Sequence, residues 1–151
     1  MAISADERRT PIHLWIVGAL ALVWNAIGAF DYVMTRTRDM DYLSQMPGVD
    51  AQAMIAWIEA FPIWAQFGWG LGVWMGLLGS VLLLARSRWA VWAFILSFVG
   101  ILLGIGYQIA GAPPLAGAEG ALHLLMPFAV IAIGLFLLFY SWRNAKKGVL
   151  R

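Results

Sequence analysis

The sequence predicts an all-α fold: an integral membrane four-helix bundle, N-in and C-in, with a short interfacial helix in the first outer loop. Three observations predict it. The 151-residue chain is 62% hydrophobic and only 12% charged, with nine Trp and sixteen Gly. Soluble domains carry about 25% charged residues, and membrane helices use Gly and Trp more freely than soluble ones. The apolar residues gather in four runs, each near the roughly 20 residues a spanning helix needs. Lys and Arg are spread unevenly over the connections between those runs.

The first span covers residues 11–34. Arg8 and Arg9 precede it, as in an export signal, but the apolar run that follows is about 19 residues, longer than the 7–15 of a signal core. An uncleaved first helix is therefore expected. The outer loop, 35–61, contains DAQAMIAWIEAF. Here Met54, Ile55, Trp57, Ile58 and Phe61 recur at helical spacing, with Asp50 placed to cap the first turn. Such a helix either lies in the membrane interface, anchored by Trp57, or packs as a cap on the bundle.

The second span, 62–85, carries Gly68, Gly72, Gly76 and Gly79 on one strip. The third, 89–109, carries Ser97, Gly100 and Gly104 on a similar strip. Small residues let backbones approach, which matters because lipid supplies no hydrophobic drive for helix association. Gly18, Asn25 and Gly28 share a face of the first span. Only Arg86-Ser87-Arg88 join spans two and three, so these form an antiparallel hairpin. GAPPLAGAE precedes the fourth span, 120–142, and its Pro113-Pro114 pair stops the third helix. The whole chain, 1–151, reads as one domain. Helices are the open-ended way to satisfy backbone groups in lipid.

With the N-terminus inside, Arg8, Arg9, Arg86, Arg88, Arg143, Lys146, Lys147 and Arg151 are inside, and only Arg36 and Arg38 are outside. That bias predicts cytoplasmic termini. It also collects the membrane-level polar residues at the outer side. Asn25, Asp31, Tyr32, Gln108, Glu119 and His123, with Trp24, are the candidate binding or proton-relay residues. Glu119 and His123, four apart, would share one helical face. His titrates near neutrality, and an ionisable group inside a span is a functional candidate by default. Asp31 and Gln66 lie about 120° off the small-residue faces of their helices, at 3.6 residues per turn, and carry less weight. His13, beside the inner arginines, reads as structural.

Several function classes find no motif. No Cys is present, so thiolate metal sites are excluded. The Glu-x-x-His signature of di-iron bundles is absent, the spacing here being Glu-x-x-x-His. Neither HExxH nor a phosphate loop occurs, nor GxSxG. No enzyme activity, cofactor or metal is expected. The pI of 9.3 does not point to nucleic acid, because the basic residues flank the spans.

The stretch LWIVGALALVWNAIGAFDYVMTRTRDMDYL and the later RSRWAVWAFILS resemble a group of small four-span inner-membrane proteins of Gram-negative bacteria. The shared pattern is WN-x-x-G-x-x-D-[YF]-x-M-T, then an arginine-rich turn followed by WAV. It covers Trp24, Asn25, Gly28, Asp31, Tyr32, Met34 and Thr35 and attaches no role to them. The resemblance implies the bacterial inner membrane, and some members carry a sugar-transporter label. The functional expectation is an outward-facing intramembrane polar pocket in a small-solute (sugar-like) or proton-linked transporter or binding protein. The alternative is an accessory or assembly subunit of a larger membrane complex. Expected partners are the lipid bilayer, a small-molecule ligand, and copies of the chain or a larger membrane assembly.

Overall fold

The computed structural model describes residues 10–151, apart from the side chain of Leu122; Arg8 and Arg9 lie outside the described residues. Pro11, held extended, precedes α1 (Ile12–Arg36). Two short helices follow, α2 (Met40–Leu43) and α3 (Ala51–Glu59), then α4 (Ile63–Leu84), α5 (Trp89–Ala110) and α6 (Ala121–Lys146). α1, α4, α5 and α6 are each long and apolar enough to cross a membrane. The chain is thus a multi-pass membrane protein of helices alone among the described residues, and lipid is its environment.

Each end has a local cause. α1 runs two residues past its expected limit, because Thr37 folds back to donate its hydroxyl to the Val33 and Met34 carbonyls. Arg38 then takes a positive φ of 56° and turns the chain. Asp39 caps α2 by accepting from the Tyr42 N–H at 2.9 Å. Asp50 caps α3 by accepting from the Ala53 N–H at 2.8 Å. Pro62 opens α4, and Arg86, at φ 58°, reverses the chain into α5. Gly120 precedes α6, so Glu119 is left in the connection. The expected helical pairing of Glu119 with His123 is therefore not formed: the helix begins too late to put both on one face.

The helices pack in sequence order, α1 on α4, α4 on α5, α5 on α6. The α4–α5 contact is the tightest, and its cause is the glycine strips. A Cβ on Gly100 would strike the Gly72 backbone nitrogen, and one on Gly104 would sit 3.0 Å from the Trp69 nitrogen. Gly68 faces Leu103, Gly72 faces Ile101, and Gly79 faces the Phe94 ring. Ser97 reinforces the seam by donating to the Gly72 carbonyl at 2.7 Å. Gly76 serves the other side as well, lying against Asn25 of α1. Gly18 packs on Leu84, whereas Gly28, expected on the same face, has no heavy atom near its missing Cβ. The six glycines of the two strips, Gly68, Gly72, Gly76, Gly79, Gly100 and Gly104, thus close this chain's own bundle.

Two ends of the bundle differ in character. At one, the turn end, Leu14, Leu83, Ala90, Phe94, Leu137 and Leu150 form a buried apolar cluster. Here the tail after α6 pairs with the α4–α5 turn: the Arg151 N–H donates to the Arg86 carbonyl at 2.7 Å, and the Arg88 N–H to the Arg151 carbonyl at 2.8 Å. His13 of α1 meets the Tyr140 hydroxyl of α6 at 2.5 Å. At the other, the loop end, residues 37–62 fold over the bundle. Trp57 of α3 donates its indole N–H to the Pro113 carbonyl at 2.7 Å, and Gly48 abuts Gly117. Leu43 is wholly buried beneath this cap.

Candidate functional site

The loop end holds a cleft built from α1, α3 and α4. The last turn of α1 supplies Tyr32, Thr35 and Arg36. The first turns of α4 supply Ile63, Gln66 and Phe67, which the 3.6-residue repeat puts on one face. Arg36 donates to the Gln66 side-chain oxygen at 3.0 Å. The Gln66 amide donates in turn to the Phe61 carbonyl at 2.9 Å and the Glu59 carbonyl at 3.4 Å. Gln66 is thereby fully employed in aiming the guanidinium.

Two cavities meet at this clasp, and both are lined by Arg36 and Gln66. The polar one, about 220 Å³, adds Thr35, Arg38, Glu59, Ile55 and Ile58. The aromatic one, about 460 Å³, adds Tyr32, Phe61, Ile63 and Phe67. Arg38 is ion-paired with Glu59, both largely exposed, so the pair adds little stability, about 0–1 kcal/mol, and no net charge. Arg36 makes no ion pair among the described residues. The Thr35 hydroxyl is buried with no hydrogen-bond partner.

The residues singled out from the sequence are placed as follows. Tyr32 lines the aromatic cavity and meets the Trp69 and Trp74 rings edge-on, at centroid distances of 4.7 and 6.1 Å. Asp31, on the neighbouring face of α1, accepts from the Tyr42 hydroxyl at 2.9 Å. Burial, then the hydrogen bond to Asp31 and its charge, push the Tyr42 phenol above its ordinary value. Asn25 lies deeper, at the α1–α4 contact, donating to Ser80 at 3.0 Å and to the Ala21 carbonyl at 2.9 Å. Ser80 passes the chain to the Gly76 carbonyl at 2.9 Å, so the donors of both side chains are met inside the bundle. Trp24 is half-buried and Gln108 likewise; neither lines the cleft. His123 faces the Pro47 carbonyl at 3.4 Å, on the side of the bundle where α6 meets the cap. Glu119 is exposed, and no hydrogen bond or ion pair joins it to His123 among the described residues. The described residues hold no group of three or more His, Asp or Glu able to bind a metal.

The structure thus brings Tyr32 together with Thr35, Arg36, Gln66 and the Arg38–Glu59 pair, and leaves Asn25, Gln108, Glu119 and His123 apart from them. Sequence reasoning passed over Arg36 and Arg38 because it used them only to orient the spans. It discounted Gln66 because that residue lies off the glycine strip. The available signal was helical phase read from the other side: Gln66 points away from α5 and toward the end of α1. No protein-family model matches this chain, and neither does any curated protein or solved structure.

Proposed function

We propose that this chain is a small-solute binding protein of the bacterial inner membrane, the recognition element of a transport activity, and that its site is the cleft at the loop end. The observation that carries this reading is the Arg36–Gln66 clasp, held by three elements and shared by a polar and an aromatic cavity. Binding sites combine apolar walls with a few placed polar groups, and a clasp whose amide is fully hydrogen-bonded is pre-organised. In this reading the cationic turn end faces the cytoplasm, with both termini, and the cleft opens on the outer side, α3 lying at the membrane interface. The accessory-subunit alternative draws less support, because the glycine strips that would suit lateral docking are occupied within the bundle.

The test is thermal unfolding of the purified protein in mild detergent against sugars, sugar phosphates and small organic acids. A ligand at 100 times its Kd stabilises the folded state by about 2.7 kcal/mol, a readable rise in midpoint. The expected result is at least one such rise, lost in Arg36→Gln and in Gln66→Leu. If every solute shifts the wild type and Arg36→Gln equally, the cleft is not a binding site. Uptake of the bound solute by reconstituted vesicles then separates carriage from binding.

A further inference from the structure

We infer that the ligand of this cleft is an amphiphile: a singly charged oxyanion held by Arg36 and Thr35, with an apolar chain lying along Ile63 and Phe67. The inference rests on the binding-site reading above and sharpens it from a small solute to a chemical class.

Hydrogen-bond accounting comes first. The Gln66 oxygen is taken by Arg36 and its amide by two backbone carbonyls. One Glu59 carboxylate oxygen is taken by Arg38. A guanidinium has five N–H donors, and Arg36 spends one within the protein. Thr35, which lines the same cavity, is only 5% exposed, and its buried hydroxyl has no partner. Leaving such a group unsatisfied is unfavourable. Free donors in the cleft therefore outnumber free acceptors, an imbalance that an oxyanion redresses and that suits Arg, which binds oxyanions with charge-assisted, often bidentate geometry. Net charge agrees: Arg38 and Glu59 cancel, so Arg36 leaves a single positive charge for a single negative one.

Shape supplies the rest. At about 220 Å³ the polar cavity is smaller than the roughly 300–1,000 Å³ of sites that enclose a whole small ligand. It takes a head group. The larger cavity across the clasp is bounded by Ile63 and Phe67, which are 84% and 66% exposed on a spanning helix and so open sideways to hydrocarbon. A chain attached to the head group leaves the cleft in that direction. Phosphodiester and carboxylate heads satisfy this chemistry equally.

Native mass spectrometry of the purified protein in neutral detergent tests the inference. The probes are phosphatidylglycerol, oleate, uncharged monoolein and free glycerol phosphate. The expected result is preferential retention of phosphatidylglycerol or oleate, whichever binds tighter identifying the head group. Arg36→Gln weakens it about tenfold or more, as loss of a charge-assisted bond predicts. Thr35→Val weakens it less, Phe67→Ala weakens the chain-bearing probe but not glycerol phosphate, and Arg143→Gln at the turn end leaves it unchanged. Arg36→Lys, which keeps the charge, guards against a variant that fails to fold. Equal binding of monoolein, equal binding of free glycerol phosphate, or indifference to Arg36 overturns the inference. If no amphiphile binds while a soluble solute still gives an Arg36-dependent rise in thermal midpoint, the amphiphile falls and the binding site stands. If neither occurs, both fall.

Discussion

Single side chains in this protein sort by whether their polar atoms are already spent. Asn25 and Ser80 spend their donors on each other and on the α1 and α4 carbonyls, so their role is to join helices. Hydrogen bonds between membrane helices average about 0.6 kcal/mol and reach about 1.7. Asn25→Ala and Ser80→Ala should each cost on that order, and the double variant less than their sum, read from denaturation in mixed micelles. Additive losses would show the bond contributes nothing. Tyr42 yields a pH prediction. Its phenol lies above its ordinary value in the folded chain, so the unfolded chain loses that proton first as pH rises. The linked stability is complete below about pH 10, the unfolded phenol value, and is lost as pH climbs through the folded value. Tyr42→Phe should remove that alkaline decline in the thermal midpoint. Asp31 shows how far sequence reaches at this scale. Its helical phase, away from Asn25, was readable, but its partner Tyr42 sits eleven positions on, beyond a reversal that no periodicity reveals.

At the scale of helices, the α4–α5 seam is the part most sensitive to a single methyl group. Gly100 and Gly72 face each other backbone to backbone, and overpacking such a contact costs about 1–3 kcal/mol or more. Gly100→Val should lower the midpoint steeply. Gly106→Ala, on the same helix with nothing near its missing Cβ, should be neutral or stabilising by up to about 1 kcal/mol from helix propensity. Equal effects at the two positions would mean that the seam is not the close contact. The strips are visible in sequence because small residues every fourth position have one common explanation in lipid. Which helix they meet is not visible, since the α1, α5 and neighbouring-chain surfaces compete for them on similar terms. The same limit applies at the start of α6, where Gly120 rather than the run of apolar residues sets the first turn and detaches Glu119 from His123.

The whole molecule is a bundle with one sealed apolar end and one end that carries the cleft. Leu150, 2% exposed in the turn-end core, plugs the gap between the tail and the α4–α5 turn; Leu150→Ala should cost about 2–5 kcal/mol by cavity formation. The proposed orientation is directly testable, because the chain has no Cys and single cysteines can be added. Ser44→Cys should react with a membrane-impermeant thiol reagent from outside, and Lys147→Cys only after permeabilisation; the reverse pattern would turn the cleft toward the cytoplasm. Length and hydropathy were enough to mark out the four spans and the α3 helix, because a backbone in lipid must satisfy itself within each segment and so writes its boundaries locally. The cleft was decided elsewhere. Arg36, Gln66 and Glu59 come from three separate elements, and only the reversal at Arg38 and the fold of residues 37–62 over the bundle bring them within hydrogen-bonding distance, a consequence of long-range packing that local periodicity does not encode.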